Sequence, residues 1–137
     1  MRTVSIIGSG GIAAAICGLA AKAGHPVEAM SRDTAKAHAL AGQIGAGATT
    51  GTFGAVPAGD IVILAVPYAV VLDVVKQYGE GLAGKLLVDP TNPGLRPMDA
   101  GPLPMARTLE HFALLSPGLV AHAIKHTNFP LGVCLLA

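Results

Sequence analysis

Apolar runs of two kinds alternate along the chain, and their lengths predict its elements. Thr3-Val4-Ser5-Ile6-Ile7 is short, apolar and β-branched, which suits a strand. It stops at Gly8-Ser9-Gly10-Gly11. The alanine-rich stretch from Ile12 to Ala23 predicts a helix, Gly24-His25 ends it, and Pro26 to Met30 predicts a second strand. Thr34 to Ile44 predicts a second helix. Residues 45–59 are loop-rich, with a short strand expected at Ala48-Thr49-Thr50. Asp60 to Val66 is an unbroken apolar run, the form a strand takes when helices cover both faces of a parallel sheet. Pro67-Tyr68 ends it, Ala69 to Tyr78 predicts a third helix, and Lys85 to Val88 another strand, closed by Asp89-Pro90-Thr91-Asn92-Pro93. Strands alternating with helices predict an α/β chain with a doubly wound, mostly parallel sheet.

The turn after the first strand narrows the picture. Gly8 permits a tight turn out of the strand, Gly10 lets a backbone approach a pyrophosphate with no Cβ in the way, and Ala13 lets the helix lie close on the strand. The helix then starts with unpaired N–H groups and the positive end of its dipole, which suits an anion. Strand, glycine turn, helix and strand in this order form the first unit of a Rossmann-like dinucleotide-binding sheet. An ordinary glycine-rich loop is the plain alternative in a chain with 18 glycines. The glycine cluster also interrupts the apolar run that a secretory leader would need.

The second strand ends in Ser31-Arg32, where an NAD-binding chain usually carries an acid. A carboxylate there would accept hydrogen bonds from a ribose 2′-hydroxyl and repel a 2′-phosphate. Ser31 offers a hydroxyl, and Arg32 a planar cation with several donors that can grip a phosphate or stack on adenine. Lys36 follows one helical turn on, on the same side as Arg32 if the helix starts near Asp33. These residues predict NADP(H) as the ligand. The alternative is that Ser31 or Asp33 only caps the helix and both cations are solvated; Asp33 can cap it in either case.

In doubly wound sheets, ligands bind beyond the carboxyl ends of the strands. Three loops should converge there: Gly8 to Ile12, Ala65 to Tyr68, and Pro90 to Pro93. Val66 and Pro67 would pack on the cofactor, with Tyr68 beside them, and the loop carrying Asn92 would border the nicotinamide. Both proline loops can also be plain strand-ending turns.

At 137 residues the chain is one domain, with residues 1–103 as the dinucleotide-binding part and 104–137 as a C-terminal segment packed on it or on a partner subunit. The net charge of +1 and the absence of a basic run argue against nucleic acid. The longest apolar run, Ile61 to Leu72, is too short to span a membrane and contains Pro67. Hydrophobic residues make up 52% and charged residues 12%, so the surplus apolar surface points to a subunit interface. Cys17 and Cys134 belong to no CxxC motif and read as buried free thiols in a reducing cytoplasm, the expected location.

Beyond Gly94, Leu95 to Asp99 predicts one more strand, and Pro104 to Asn128 predicts a C-terminal helical segment, kinked or split at Pro117-Gly118. Met105, Leu109, Phe112, Leu119 and Ala123 share a stripe, while Leu114 and Leu115 lie off it. A helix apolar on more than one side needs cover on more than one side, so a homodimer through this region is expected. His111, His122 and His126 fall near one face of such a helix, but no carboxylate or thiolate stands beside them, and no metal site is expected. No Ser/His/Asp or Cys/His constellation names a catalytic residue.

Three stretches, Ile6–Asp33, Val62–Val75 and Gly84–Pro93, resemble the NADP-dependent oxidoreductases related to the deazaflavin-dependent NADP reductases. The stretch from Gly94 to Leu115, with its DAGPL motif at Asp99–Leu103, resembles the last strand and C-terminal helix of the same family. The resemblance implies that Gly8, Ser9, Gly10, Gly11 and Ile12 hold the pyrophosphate, that Ser31, Arg32 and Lys36 hold the 2′-phosphate, and that Ala65, Val66 and Pro67 line the nicotinamide half. It further implies hydride transfer to a small-molecule redox acceptor such as a deazaflavin or flavin, which depends on placing two rings more than on a side-chain acid or base. One departure is large. In relatives, several elements separate the loop at Asn92 from the strand before DAGPL, whereas here Pro93 runs straight into Gly94.

Overall fold

The computed structural model describes residues 2–45 and 47–90, apart from the side chain of Tyr68, and the backbone of 121–124 and 133–136. Five strands, β1 (Val4–Ile7), β2 (Val27–Ser31), β3 (Ala48–Thr52), β4 (Ile61–Leu64) and β5 (Leu86–Val88), form one parallel sheet in the order β3-β2-β1-β4-β5. Ile6 of the central strand pairs with Ala29 on one side and Ile63 on the other. The first crossovers are α1 (Gly11–Lys22) and α2 (Thr34–Ile44), and α3 (Val71–Tyr78) links β4 to β5. The Rossmann-like architecture expected from the sequence is the one observed.

Alternation along β1 explains why helices are needed on both faces. Val4 and Ile6 point to one side, where they pack with Val27, Ala29, Ala13, Cys17 and Leu40. Ile7 points to the other, among Met30, Val62, Leu64, Val74 and Tyr78. Burying each larger aliphatic side chain contributes about 1.5–3 kcal/mol. Ala13 and Cys17 are fully buried one turn apart, so the side chains that α1 buries most completely against the sheet are small. Burial pushes the Cys17 thiol up to about 11, which keeps it protonated and unreactive at neutral pH.

Local signals set the helices. Asp33 caps α2, its Oδ1 accepting the Lys36 backbone N–H at 3.2 Å. In α3, Val71, Val74, Val75 and Tyr78 form the buried stripe, while Asp73, Lys76 and Gln77 face solvent. The helix expected from Ala69 is divided, with Tyr68–Val70 making a 3₁₀ turn first.

The crossover from β3 to β4 is not helical. Residues 53–60 return as an irregular strap across the α3 face, with Pro57 fully buried. A strap without regular structure needs other partners for its backbone donors. Buried Glu28 of β2 and buried Ser5 of β1 supply them. Glu28 Oε2 accepts the Ala58 N–H at 2.9 Å and the Ser5 hydroxyl, while Ser5 Oγ accepts the Gly59 N–H at 2.8 Å. Lys85 Nζ donates to the Gly59 carbonyl at 2.8 Å. Gly59 must be glycine, because a Cβ there would lie 2.7 Å from both the Ser5 nitrogen and the Thr3 carbonyl oxygen. Replacing Glu28 by alanine would leave the Ala58 N–H and the Ser5 hydroxyl without their acceptor. Glu28→Ala is expected to destabilise the fold by about 2–4 kcal/mol, read as a lower midpoint in urea. An unchanged midpoint would show that the strap is held by other contacts.

Two expectations change at the C-terminal end. Ala121–Ile124, assigned above to a helix, is strand β6, paired antiparallel with β7 (Val133–Leu136). Short apolar runs satisfy either periodicity, and here the inter-strand ladder with another apolar run decides. His122 therefore lies on a strand and not on the helical face drawn through His111 and His126. The strand at Leu95–Asp99, the rest of the helical segment and the interface assigned to it lie outside the described residues. Among the described residues, no helix is long and apolar enough to cross a membrane, and no three His, Cys, Asp or Glu side chains cluster as metal ligands.

Candidate functional site

β1 ends pressed against its neighbours. The Gly8 N–H donates to the Met30 carbonyl at 2.8 Å, and the Ala65 N–H donates to the Ile7 carbonyl at 2.8 Å. Gly8 has φ +129°, and a Cβ there would sit 2.0 Å from the Ala65 carbonyl oxygen. This contact draws the glycine turn and the Ala65–Pro67 loop together at the carboxyl edge of the sheet.

The next glycines serve a different purpose. Gly10 is the N-cap of α1, and no side chain caps the helix. Nothing lies within 4 Å of where a Cβ of Gly10 or Gly11 would stand. The first intrahelical bond runs from the Ala14 N–H to the Gly10 carbonyl at 3.0 Å, so the N–H groups of the first turn have no partner within the helix. The first turn carries no acidic residue, which leaves the positive end of the helix dipole uncompensated.

Two connected lobes open along this edge. The larger, about 380 Å³, lies between the glycine turn at Gly8–Gly10, the end of β2 at Ser31–Arg32, Phe53, and the loop at Ala65–Pro67, with Val70 and Val74 at its base. The smaller, about 250 Å³, shares Gly10 and Ala65–Pro67 and adds Gly11, Ile12, Leu64 and Pro90. Together they form a groove running from Phe53 to Pro90. Among the described residues, no carboxylate lines either lobe. A further crevice, about 320 Å³, lies between the later turns of α1 and α2 at Gly18, Leu40 and Gln43. Those turns run back toward the amino ends of the strands, away from where ligands bind in such sheets.

The polar groups of the groove meet at the end of β2. Ser31 Oγ is 3.0 Å from Ser9 Oγ, joining the glycine turn to the second strand, and it accepts the Asp33 N–H at 3.3 Å. The cap of α2 is Asp33, so the Ser31 hydroxyl remains turned to the glycine turn. The Arg32 guanidinium lies over the Phe53 ring, 5.5 Å from its centroid. Among the described residues it makes no ion pair.

Most residues singled out from the sequence meet here: Gly8, Ser9, Gly10, Gly11, Ile12, Ser31, Arg32, Ala65, Val66 and Pro67 all line the groove. Lys36 is exposed on the first turn of α2 and does not line either lobe. Tyr68 opens the 3₁₀ turn after Pro67, and Asn92 lies outside the described residues. Phe53, Leu64, Val70 and Val74 were missed. Val70 and Val74 follow from placing the helix after the AVPY loop at the carboxyl edge. Phe53 is the first residue after an edge strand beside β2, a signal that needs the strand order.

A family model described as coenzyme F420-dependent NADP oxidoreductase matches residues 3–93. No curated protein is detectably similar in sequence. Among solved structures, a hypothetical protein from Sinorhizobium meliloti is 28% identical with a TM-score of 0.68, covering 90% of this chain and 61% of its own. An imine reductase from Myxococcus stipitatus, solved with NADP+, is 25% identical with a TM-score of 0.62, covering 82% of this chain and 37% of its own. A protein from Arthrobacter sp. FB24, assigned as an F420-dependent NADP reductase, shares the fold at 20% identity and a TM-score of 0.69, covering 93% of this chain and 64% of its own. The chain thus spans about three fifths of the first and under two fifths of the second.

Proposed function

Since the chain belongs to the family of coenzyme F420-dependent NADP oxidoreductases, we propose that it binds NADP(H) along the groove and passes hydride between the nicotinamide and a flat redox acceptor, a deazaflavin or flavin. The observation that carries the dinucleotide is Arg32. It is a cation at the end of the second strand, and among the described residues it has no ion-pair partner and no carboxylate lines its groove. The groups present fit each part of such a ligand. The α1 N-terminus and the open space over Gly10 and Gly11 accept a pyrophosphate. Ser31 and Arg32 suit a 2′-phosphate. The apolar walls at Leu64, Val66, Pro67 and Pro90 suit the nicotinamide half and keep water from it.

The bound nicotinamide supplies the hydride; the chain's own residues bind, orient and exclude water. Nothing in the groove is needed as an acid or base for a hydride that moves directly between two rings. A second reading is a non-catalytic NADP(H)-binding module. Calorimetric titration with NADPH and NADH side by side comes first, followed by NADPH oxidation with a panel of flavins and deazaflavins. Preferential NADPH binding with steady-state turnover supports the oxidoreductase. Binding with no turnover on any acceptor leaves the module. Binding of neither nucleotide would defeat both and leave a fold that has kept only an interaction role.

A further inference from the structure

Phe53 does more in the groove than line it. Its ring is fixed from the core side, meeting the buried Tyr78 ring edge-on with centroids 5.4 Å apart and planes at 80°. Tyr78 is itself held, its hydroxyl donating to Met30 Sδ at 3.9 Å. The Arg32 guanidinium rests on Phe53, 5.5 Å from the ring centroid and within reach of the ring's negative face. Arg32 is solvent-exposed, and among the described residues its guanidinium makes no ion pair and no side-chain hydrogen bond. A long side chain free in water must lose its rotamer freedom when it grips an anion. One already laid on a fixed ring has lost part of it beforehand.

We propose that Phe53 is a positioning residue for the nucleotide site, holding the Arg32 guanidinium over the groove and thereby setting the preference for a 2′-phosphate over a 2′-hydroxyl. This rests on the NADP(H) reading above. A guanidinium stacked on a ring uses its face and leaves its N–H edge for phosphate oxygens. The effect should therefore be larger with NADPH than with NADH, which has no 2′-phosphate for Arg32 to hold.

Phe53→Leu keeps an apolar side chain against Tyr78 and removes the aromatic face, and Phe53→Tyr keeps both. Calorimetric titrations of wild type, Phe53→Leu, Phe53→Tyr, Arg32→Ala and the Arg32→Ala/Phe53→Leu double variant test the role. Phe53→Leu should weaken NADPH about two- to fivefold and NADH by less. Phe53→Tyr should restore the wild-type ratio. In the double variant the leucine should add nothing to the loss from Arg32→Ala, because the ring would act only through the arginine. Equal losses for both nucleotides, additive losses in the double variant, or no change with Phe53→Leu would each overturn the positioning role. If Arg32→Ala abolishes the NADPH preference and Phe53→Leu leaves it unchanged, only this inference fails. If the wild type shows no preference for NADPH, the NADP(H) reading fails and takes this role with it.

Discussion

Arg32→Ala is expected to weaken NADPH binding about ten- to a hundredfold and to leave NADH within about twofold. Charge-assisted hydrogen bonds from a guanidinium to a phosphate are among the stronger polar contacts, about 1.5–3 kcal/mol for a well-formed set. Among the described residues, Arg32 has no competing acid to satisfy and no carboxylate lining the groove offsets its charge. All of its favourable electrostatics are thus available to the ligand. NADH offers a 2′-hydroxyl in place of the phosphate, which the uncharged Ser31 side chain can meet without the arginine. The position is exposed, so the NADPH preference should also shrink as ionic strength rises. Parallel calorimetric titrations of the wild type and Arg32→Ala with both nucleotides check it. Equal weakening of NADPH and NADH would place Arg32 at the adenine or the pyrophosphate and not at the 2′-phosphate.

How much of this could be read from the chain alone depends on how local the cause is. The span of α2 was legible because its cap is three residues from its partner, Asp33 to Lys36. The strand–turn–helix at the N-terminus was legible because Gly8, Gly10 and Ala13 each answer a constraint within a few residues. The strap at 53–60 was not. Its anchors, Glu28 and Ser5, lie 30 and 54 residues from the N–H groups they accept. A glutamate in an apolar strand gives no sign of which distant backbone it will satisfy. Phe53 was hidden for the same reason, since its contact with Arg32 requires β3 to lie beside β2. At Ala121–Ile124 a helical stripe was drawn through residues whose partner strand is Val133–Leu136, and the ladder that decides the matter is again non-local.

Gly8→Ala and Gly10→Ala should fail in opposite ways, although both glycines belong to one turn. At Gly8 the backbone has φ +129°, which an L side chain rarely adopts, and a Cβ would stand 2.0 Å from the Ala65 carbonyl oxygen and 2.7 Å from its carbon. Both are backbone atoms at the end of β4, so relief requires parting β1 from β4 and stretching the bond from the Ala65 N–H to the Ile7 carbonyl. Strain and displacement together should cost about 3–5 kcal/mol, a large part of the stability of a domain this size. Gly8→Ala is therefore expected to lower the thermal midpoint sharply and to lose nucleotide binding with the fold. At Gly10 the backbone has φ −84° and the space for a Cβ is empty. Alanine there should leave the thermal midpoint within a few degrees, because nothing in the protein is displaced. Its methyl would instead enter the space shared by both lobes of the groove, where the pyrophosphate must approach the α1 N-terminus. NADPH and NADH should weaken together, by about tenfold or more, since the pyrophosphate is common to both. Thermal melts and titrations of the two variants separate the roles. A Gly10→Ala protein that is stable and binds NADPH as the wild type does would show that the pyrophosphate does not lie over this turn.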